Sequence, residues 1–138
     1  LGFMSESETD AKGYKKDIVK EIESVLSPEF LNRIDDIIVF TPLTREEVRE
    51  LTNMYVERIQ EHMEGYGKHL TITERGLDAL VEKGYNQKYG ARFLKRHVDE
   101  KVKVPVTLMW KEGDHFRIDA ADGEITVETT QAGEPALI

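Results

Sequence analysis

Two arginines occupy positions suited to anion chemistry. Arg33 closes the run Pro28-Glu29-Phe30-Leu31-Asn32-Arg33, directly before an apolar, β-branched stretch that begins at Ile34. Arg92 follows Tyr89-Gly90-Ala91, a small and flexible approach to the first turn of a basic helix. A guanidinium offers five donors in a planar fork that matches carboxylate or phosphate, and the backbone N–H groups at a helix start favour an anion as well. A structural ion pair with a carboxylate is the competing role for either residue. Other chemistry is thinly represented. A phosphate-cradling loop needs two glycines at fixed spacing followed by Lys and Ser or Thr. The nearest approach, Gly67-Lys68, has His69 in place of the hydroxyl and His62 in place of the first glycine. Asp35 and Asp36 are adjacent, and on a strand neighbours point to opposite faces, so the pair is read as solvated rather than as a metal clamp or acid–base couple. His62, His69, His97 and His115 lack zinc-ligand spacing and are read as surface residues. The absence of cysteine removes thiol catalysis, thiolate metal sites and disulfides, and is compatible with a reducing compartment. Trp110, the only tryptophan, is assigned to the edge of the core. Spacing alone yields no catalytic centre and no metal site.

The elements that must hold the two arginines can be read from periodicity. Residues 1–13 lack an apolar repeat and are expected to form an arm. Ile18, Ile22, Val25 and Leu26 have helical spacing, and Ser27-Pro28 ends that helix. A short helical turn through Pro28–Asn32 follows. Ile37-Ile38-Val39-Phe40 predicts a strand covered on both faces, stopped by Pro42. The pattern changes sharply at Leu43. Thr44 and Glu47 form a capping box, and the stripe Val48, Leu51, Tyr55, Ile59, Met63 runs to Gly65 and Gly67. Leu70-Thr71-Ile72 reads as a short strand. Thr73 caps a helix through Leu77, Leu80 and Val81 that Gly84 ends. A third helix opens near Gly90 with the stripe Leu94, Val98, Val102, Val106, Met109, kinked by Pro105. Alternation on either side of Asp122-Gly123 predicts a β-hairpin, and residues 131–138 a frayed tail.

Composition narrows the class of partner. The chain has 138 residues, 39% of them hydrophobic, and a net charge of −8, which is a poor basis for gripping nucleic acid through its phosphates. No apolar run approaches the length of a membrane span, and the acidic, polar start lacks the features of a signal peptide. The cytoplasm is the expected location. Charge is uneven, however: residues 86–112 hold seven basic side chains against three acidic ones. A basic island on an acidic chain points to a local anionic partner, with a solvated helix face as the alternative.

The run Pro28-Glu29-Phe30-Leu31-Asn32-Arg33-Ile34-Asp35-Asp36-Ile37-Ile38-Val39-Phe40, followed in order by Pro42-Leu43, Gly84-Tyr85, Tyr89-Gly90-Ala91-Arg92 and Leu94-Lys95-Arg96, closely resembles the C-terminal end of the Clp-type AAA+ unfoldases. The resemblance covers about residues 14–128. It implies an α+β fold, in which residues 1–42 end an AAA+ large subdomain and residues 43–130 form the small, lid-like C-terminal subdomain, helices packed on a small β-sheet. The nucleotide-binding loop of the same module would lie upstream, a reading in keeping with a chain that opens at Leu1 rather than at a methionine, so this stretch alone is not expected to hydrolyse ATP.

Carried over position by position, the resemblance makes Arg33 the arginine finger that reaches the nucleotide of a neighbouring subunit. It makes Arg92 the second sensor arginine, presented by Gly90 and Ala91 to the γ-phosphate of Mg-ATP in its own subunit. Family members commonly have proline after this arginine, whereas Phe93 stands here. Leu1-Gly2-Phe3 resembles the exposed tripeptide with which the protease-coupled branch docks on the ClpP peptidase. The implied partners are the other subunits of a homo-hexamer, ClpP and unfolded protein substrates. A protease-independent disaggregase and a non-catalytic assembly or adaptor module are the alternatives.

Overall fold

The computed structural model describes residues 6–85 and 90–131, and the chain divides into two compact units, Leu1–Pro42 and Leu43–Ile138. In the first, α1 (Glu6–Val25) and α2 (Pro28–Leu31) are separated by the Ser27-Pro28 break. Residues 6–13, assigned above to an arm, are helical. A helix already nucleated over Tyr14–Leu26 extends cheaply through neighbours such as Ala11 and Lys12, because propagation costs far less than nucleation. At α2, Ser27 Oγ accepts from the Phe30 N–H at 3.3 Å and Pro28 occupies the first turn, where its missing donor is harmless.

The strand expected over Ile37–Phe40 is not formed. The segment is extended but carries no ladder, and Ile38 and Phe40 are 75% and 89% exposed. A fully apolar strand is stable only when neighbouring strands complete its hydrogen bonds, and no described residue pairs with this one. Asp35 and Asp36 are therefore exposed on an irregular segment, which replaces the strand geometry expected for them. Asp36 accepts the Ile37 N–H at 2.8 Å.

Among the described residues, the second unit holds the entire buried apolar core. Helix α3 (Arg45–Glu64) begins at the expected capping box: Thr44 Oγ1 accepts from Glu47 N–H at 3.2 Å and Glu47 accepts from Thr44 N–H at 2.8 Å. Its stripe buries Val48, Val56 and Met63, and buried Thr52 is satisfied by donating to the Val48 carbonyl at 2.7 Å. Gly67, at φ +72°, turns the chain into β1 (His69–Ile72). Helix α4 (Glu74–Gly84) is capped by Thr73, as expected, and α5 (Gly90–Val98) follows. The stripe Leu94, Val98, Val102, Val106 does not ride on a single helix. After α5 come a π-helical turn (Asp99–Lys103) and α6 (Val104–Leu108), so the interruption precedes Pro105 rather than falling on it. Pro105 lacks the N–H for an α-type bond, and Val104 N–H donates five residues back, to the Asp99 carbonyl.

The sheet has three strands in the order β1-β2-β3, where β2 is His115–Ala121 and β3 Glu124–Thr130. β1 lies parallel to β2, with Leu70 beside Phe116 and Ile72 beside Ile118. β2 and β3 form the hairpin expected around Asp122-Gly123, both in left-handed conformation at φ 52° and 75°. Leu70, Phe116 and Ile118 meet Leu77, Leu80, Val81, Leu94 and Val98 from the helices in one buried cluster. The architecture is α+β. No described helix is long and apolar enough to cross a membrane.

Candidate functional site

Arg33 lies in the turn that leaves α2. Its backbone N–H donates to the Phe30 carbonyl and that of Ile34 to the Leu31 carbonyl, both at 3.1 Å, so the chain around it is fixed by local bonds while its side chain is exposed. Ile34 and Leu31 share a shallow concavity with Lys15, Val19 and Glu23 of α1. This footing holds the turn from within the first unit.

Arg92 is the third residue of α5. Gly90 opens the helix at φ +59°, a conformation that penalises any side chain with a Cβ. Ala91 and Arg92 are exposed beyond it. The first turn holds no acidic residue, so the arginine stands at the positive end of the helix dipole with no carboxylate of that turn to offset it. The cations one turn later are occupied: Lys95 bridges to Asp99 and Arg96 to Glu100, each at 2.9 Å. Tyr89, which completes the sequence motif, lies outside the described residues, as do Leu1, Gly2 and Phe3.

The contrast extends to the whole set of eight arginines. Arg45, Arg49, Arg75, Arg96 and Arg117 are ion-paired, and Arg58 stands over the Tyr55 ring at 6.0 Å. Arg33 and Arg92 are the two with no ion pair or ring contact to a described residue. Among the described residues, no carboxylate fills the structural ion-pair role left open for Arg33 and Arg92.

Behind Arg92, α5 is fastened by a contact that spacing did not reveal. Phe93 stacks on His97 with centroids 6.2 Å apart and planes within 7°, and His97 packs against Gly84, where a Cβ would come within 2.6 Å of Leu94. His97 is 8% exposed, which corrects its reading as a surface histidine. Its Nε2 finds no hydrogen-bond partner among the described residues. Burial, together with the nearby Lys101 and Lys83 charges, pushes its pKa below the usual histidine value, against a smaller opposing effect from Glu100. The signal for it was the four-residue interval from Phe93, beside the apolar stripe. His69 and His115 stack across the β1–β2 register at 4.9 Å, and the described residues contain no cluster of three or more metal-ligating side chains.

Comparison with known proteins identifies the family. Residues 43–122 match the family model of the C-terminal, D2-small domain of ClpB protein. Over 99% of its length the chain is 33% identical to the ATP-dependent Clp protease ATP-binding subunit ClpA homolog CD4B, chloroplastic, of Solanum lycopersicum. It is 32% identical over 96% of its length to chaperone protein ClpB 1 of Synechocystis, and 36% identical over 83% to the ATP-dependent Clp protease ATP-binding subunit ClpC of Staphylococcus aureus. It spans 16%, 16% and 14% of these relatives respectively. With the family model covering more than half of the chain and the α+β lid architecture in place, the chain belongs to the Clp family of AAA+ chaperones, as a protein bearing their D2-small domain.

Proposed function

We propose that this chain is the C-terminal part of an ATP-dependent protein unfoldase working in the cytoplasm as a homo-hexameric ring. In this reading residues 1–42 end the large subdomain of the second ATPase module, residues 43–130 are its lid and residues 131–138 a tail. Arg33 acts as the arginine finger toward the neighbouring subunit. Arg92, presented by Gly90 and Ala91, is the sensor that touches the γ-phosphate of Mg-ATP. Leu1-Gly2-Phe3 docks on the ClpP peptidase, which receives unfolded substrates. The observation that carries the reading is the pair of exposed arginines, Arg33 and Arg92, left without partners among the described residues while the other six are engaged.

The chemistry follows from charge. Phosphoryl transfer loads negative charge onto the γ-phosphate oxygens and the leaving oxygen, and a preorganised guanidinium stabilises that charge without reorganisation. The dipole at the start of α5 favours the same anion that Arg92 would meet, so binding relieves an unfavourable cation–dipole arrangement. The chain holds no phosphate-cradling loop of its own and is not expected to turn over ATP in isolation.

In the full-length protein, Arg33→Ala is expected to keep nucleotide binding and ring assembly while lowering ATP turnover by about 10³-fold or more. A ring that scatters instead on size-exclusion would favour the assembly-module reading. Full turnover in Arg92→Ala would remove the sensor role. Replacing Leu1-Gly2-Phe3 by alanines should abolish ClpP-dependent degradation of a folded reporter at unchanged ATPase rate. The match to a ClpB domain model and to a ClpB relative supports the protease-independent disaggregase as the second reading. Absence of ClpP-dependent degradation with either tripeptide would favour it.

A further inference from the structure

In the second unit, α3 and the run from α5 to α6 diverge to leave a groove of about 620 Å³. Its floor is apolar: Ile59 and Met63 come from α3, Val106 and Trp110 from the opposite side. A space of this size accepts two or three large side chains. Its rim is cationic. Arg58, Lys95 and Lys103 border it with exposed side chains, and its one carboxylate, Asp99, is already bridged to Lys95 at 2.9 Å. This excess of positive charge stands on a chain whose net charge is −8.

The wall between Lys95 and Lys103 contains the π-helical turn. π-helical turns are rare and recur at functional sites, because they distort an otherwise regular ladder. Here the turn carries Asp99 and Lys103 at its two ends, and both line the groove. The exposed apolar surface continues from the groove onto Tyr66, 66% exposed, one turn beyond Met63. None of Arg33, Gly90, Ala91 and Arg92 borders the groove, so it is separate from the nucleotide reading and stands or falls apart from it.

We propose that this groove docks a segment of another protein that presents an aliphatic or aromatic anchor flanked by carboxylates. The floor takes the anchor, and Arg58 and Lys103 pair with the flanking acids. A basic segment would be repelled by the same rim, and a nucleic-acid strand would find a short cationic rim on a strongly acidic protein. Helix-in-groove recognition places apolar anchors one turn apart, as the spacing of Ile59 and Met63 along α3 suits.

Trp110 is the chain's only tryptophan and lines the groove, so its emission reports occupancy directly. The chain would be titrated with a short capped peptide whose leucines lie on one helical face beside glutamates, and with a control in which lysines replace those glutamates. The proposal expects a saturable change in Trp110 emission with the acidic peptide only, weakened as salt rises. It also expects the dissociation constant to increase by about tenfold or more in the Arg58→Glu/Lys103→Glu double variant. Equal response to both peptides, no saturable response, or unchanged affinity in the variant would overturn it. Sedimentation of the unliganded chain provides a separate check: self-association that is abolished by the double variant would identify a second copy as the occupant and equally overturn the proposal. Should the double variant fail to fold, judged by its circular dichroism, the two-peptide comparison on the parent chain decides.

Discussion

At the scale of single residues, His97 gives the clearest link between burial and a measurable property. Its pKa is held below 6.5 by burial first, then by the Lys101 and Lys83 charges. The unfolded chain therefore binds the proton more readily than the folded one just below that value. By linkage, stability rises with pH wherever the unfolded state carries more protons. The contribution of His97 is complete above the ordinary histidine range and is lost as pH falls below 6.5 toward the depressed folded value. One proton limits the slope to about 1.4 kcal/mol per pH unit. His97→Leu, which keeps an apolar contact for Phe93 and Gly84 and abandons an Nε2 that has no described partner, should flatten that part of the profile. Urea melts of parent and variant between about pH 7.5 and about pH 5 would test this. A parent-minus-variant difference that does not change with pH would refute it. Asp119 contributes with the same sign, but in the acid range. Donation from the Thr73 hydroxyl and the Ala120 N–H, with Arg75 adding charge, lowers it to about 2. Its share of stability is present above the usual carboxylate range and disappears only as pH falls toward that value.

At the scale of elements, close approach decides more than propensity. Gly113 precedes β2 where the ends of all three strands converge. Asp114 N–H donates to the Thr130 carbonyl at 2.9 Å, His69 N–H donates to the Asp114 carbonyl at 2.8 Å, and Lys68 Nζ reaches the Gly113 carbonyl at 2.7 Å. A Cβ on Gly113 would overlap Thr129 Oγ1 and the Thr130 carbonyl, which the ladder prevents from moving. Gly113→Ala is expected to cost about 1–3 kcal/mol by overpacking, lowering the melting temperature by about 4–8 °C per kcal/mol for a domain of this size. An unchanged midpoint in a thermal melt would mean that the strand ends yield. This position also marks where sequence reading stops. The capping box at Thr44, the cap at Thr73 and the Asp122-Gly123 turn were legible because each is closed by residues within about one turn of one another. The need for glycine at 113 depends on a strand that arrives later in the chain. The π-helical turn was hidden for a related reason: an unbroken apolar stripe from Leu94 to Met109 is compatible with a kinked α-helix or with a wider turn, and packing chose the latter. For the candidate site, motif order exposed Arg33 and Arg92, but that no described residue pairs with either became visible only in the structure, beside six other arginines that are engaged.

At the scale of the whole molecule, burial is distributed very unequally. Among the described residues every buried apolar one belongs to Leu43–Ile138, and no described side chain of residues 12–42 is buried. Stability should therefore reside in the second unit, since apolar area removed from water is the main favourable contribution to folding. Removing residues 1–42 is expected to shift the unfolding free energy of the cooperative transition by no more than about 0.5 kcal/mol, the range of surface changes. The counterpart is the run Ile37-Ile38-Val39-Phe40, whose composition suits a strand enclosed on both faces yet whose Ile38 and Phe40 are exposed. In the proposed reading, strands of the large subdomain earlier in the full-length protein complete its ladder. Amide hydrogen exchange distinguishes the two settings, because protection measures whether a backbone N–H has a lasting partner. These amides should exchange at nearly unprotected rates in the 138-residue chain and become protected in the full-length ring, while those of α3 and β2 stay protected in both. Strong protection of Ile37–Phe40 in the chain by itself would mean that the segment finds its partner internally. The assignment of residues 1–42 to a larger sheet would then fail, and with it the footing from which Arg33 is proposed to reach a neighbouring subunit.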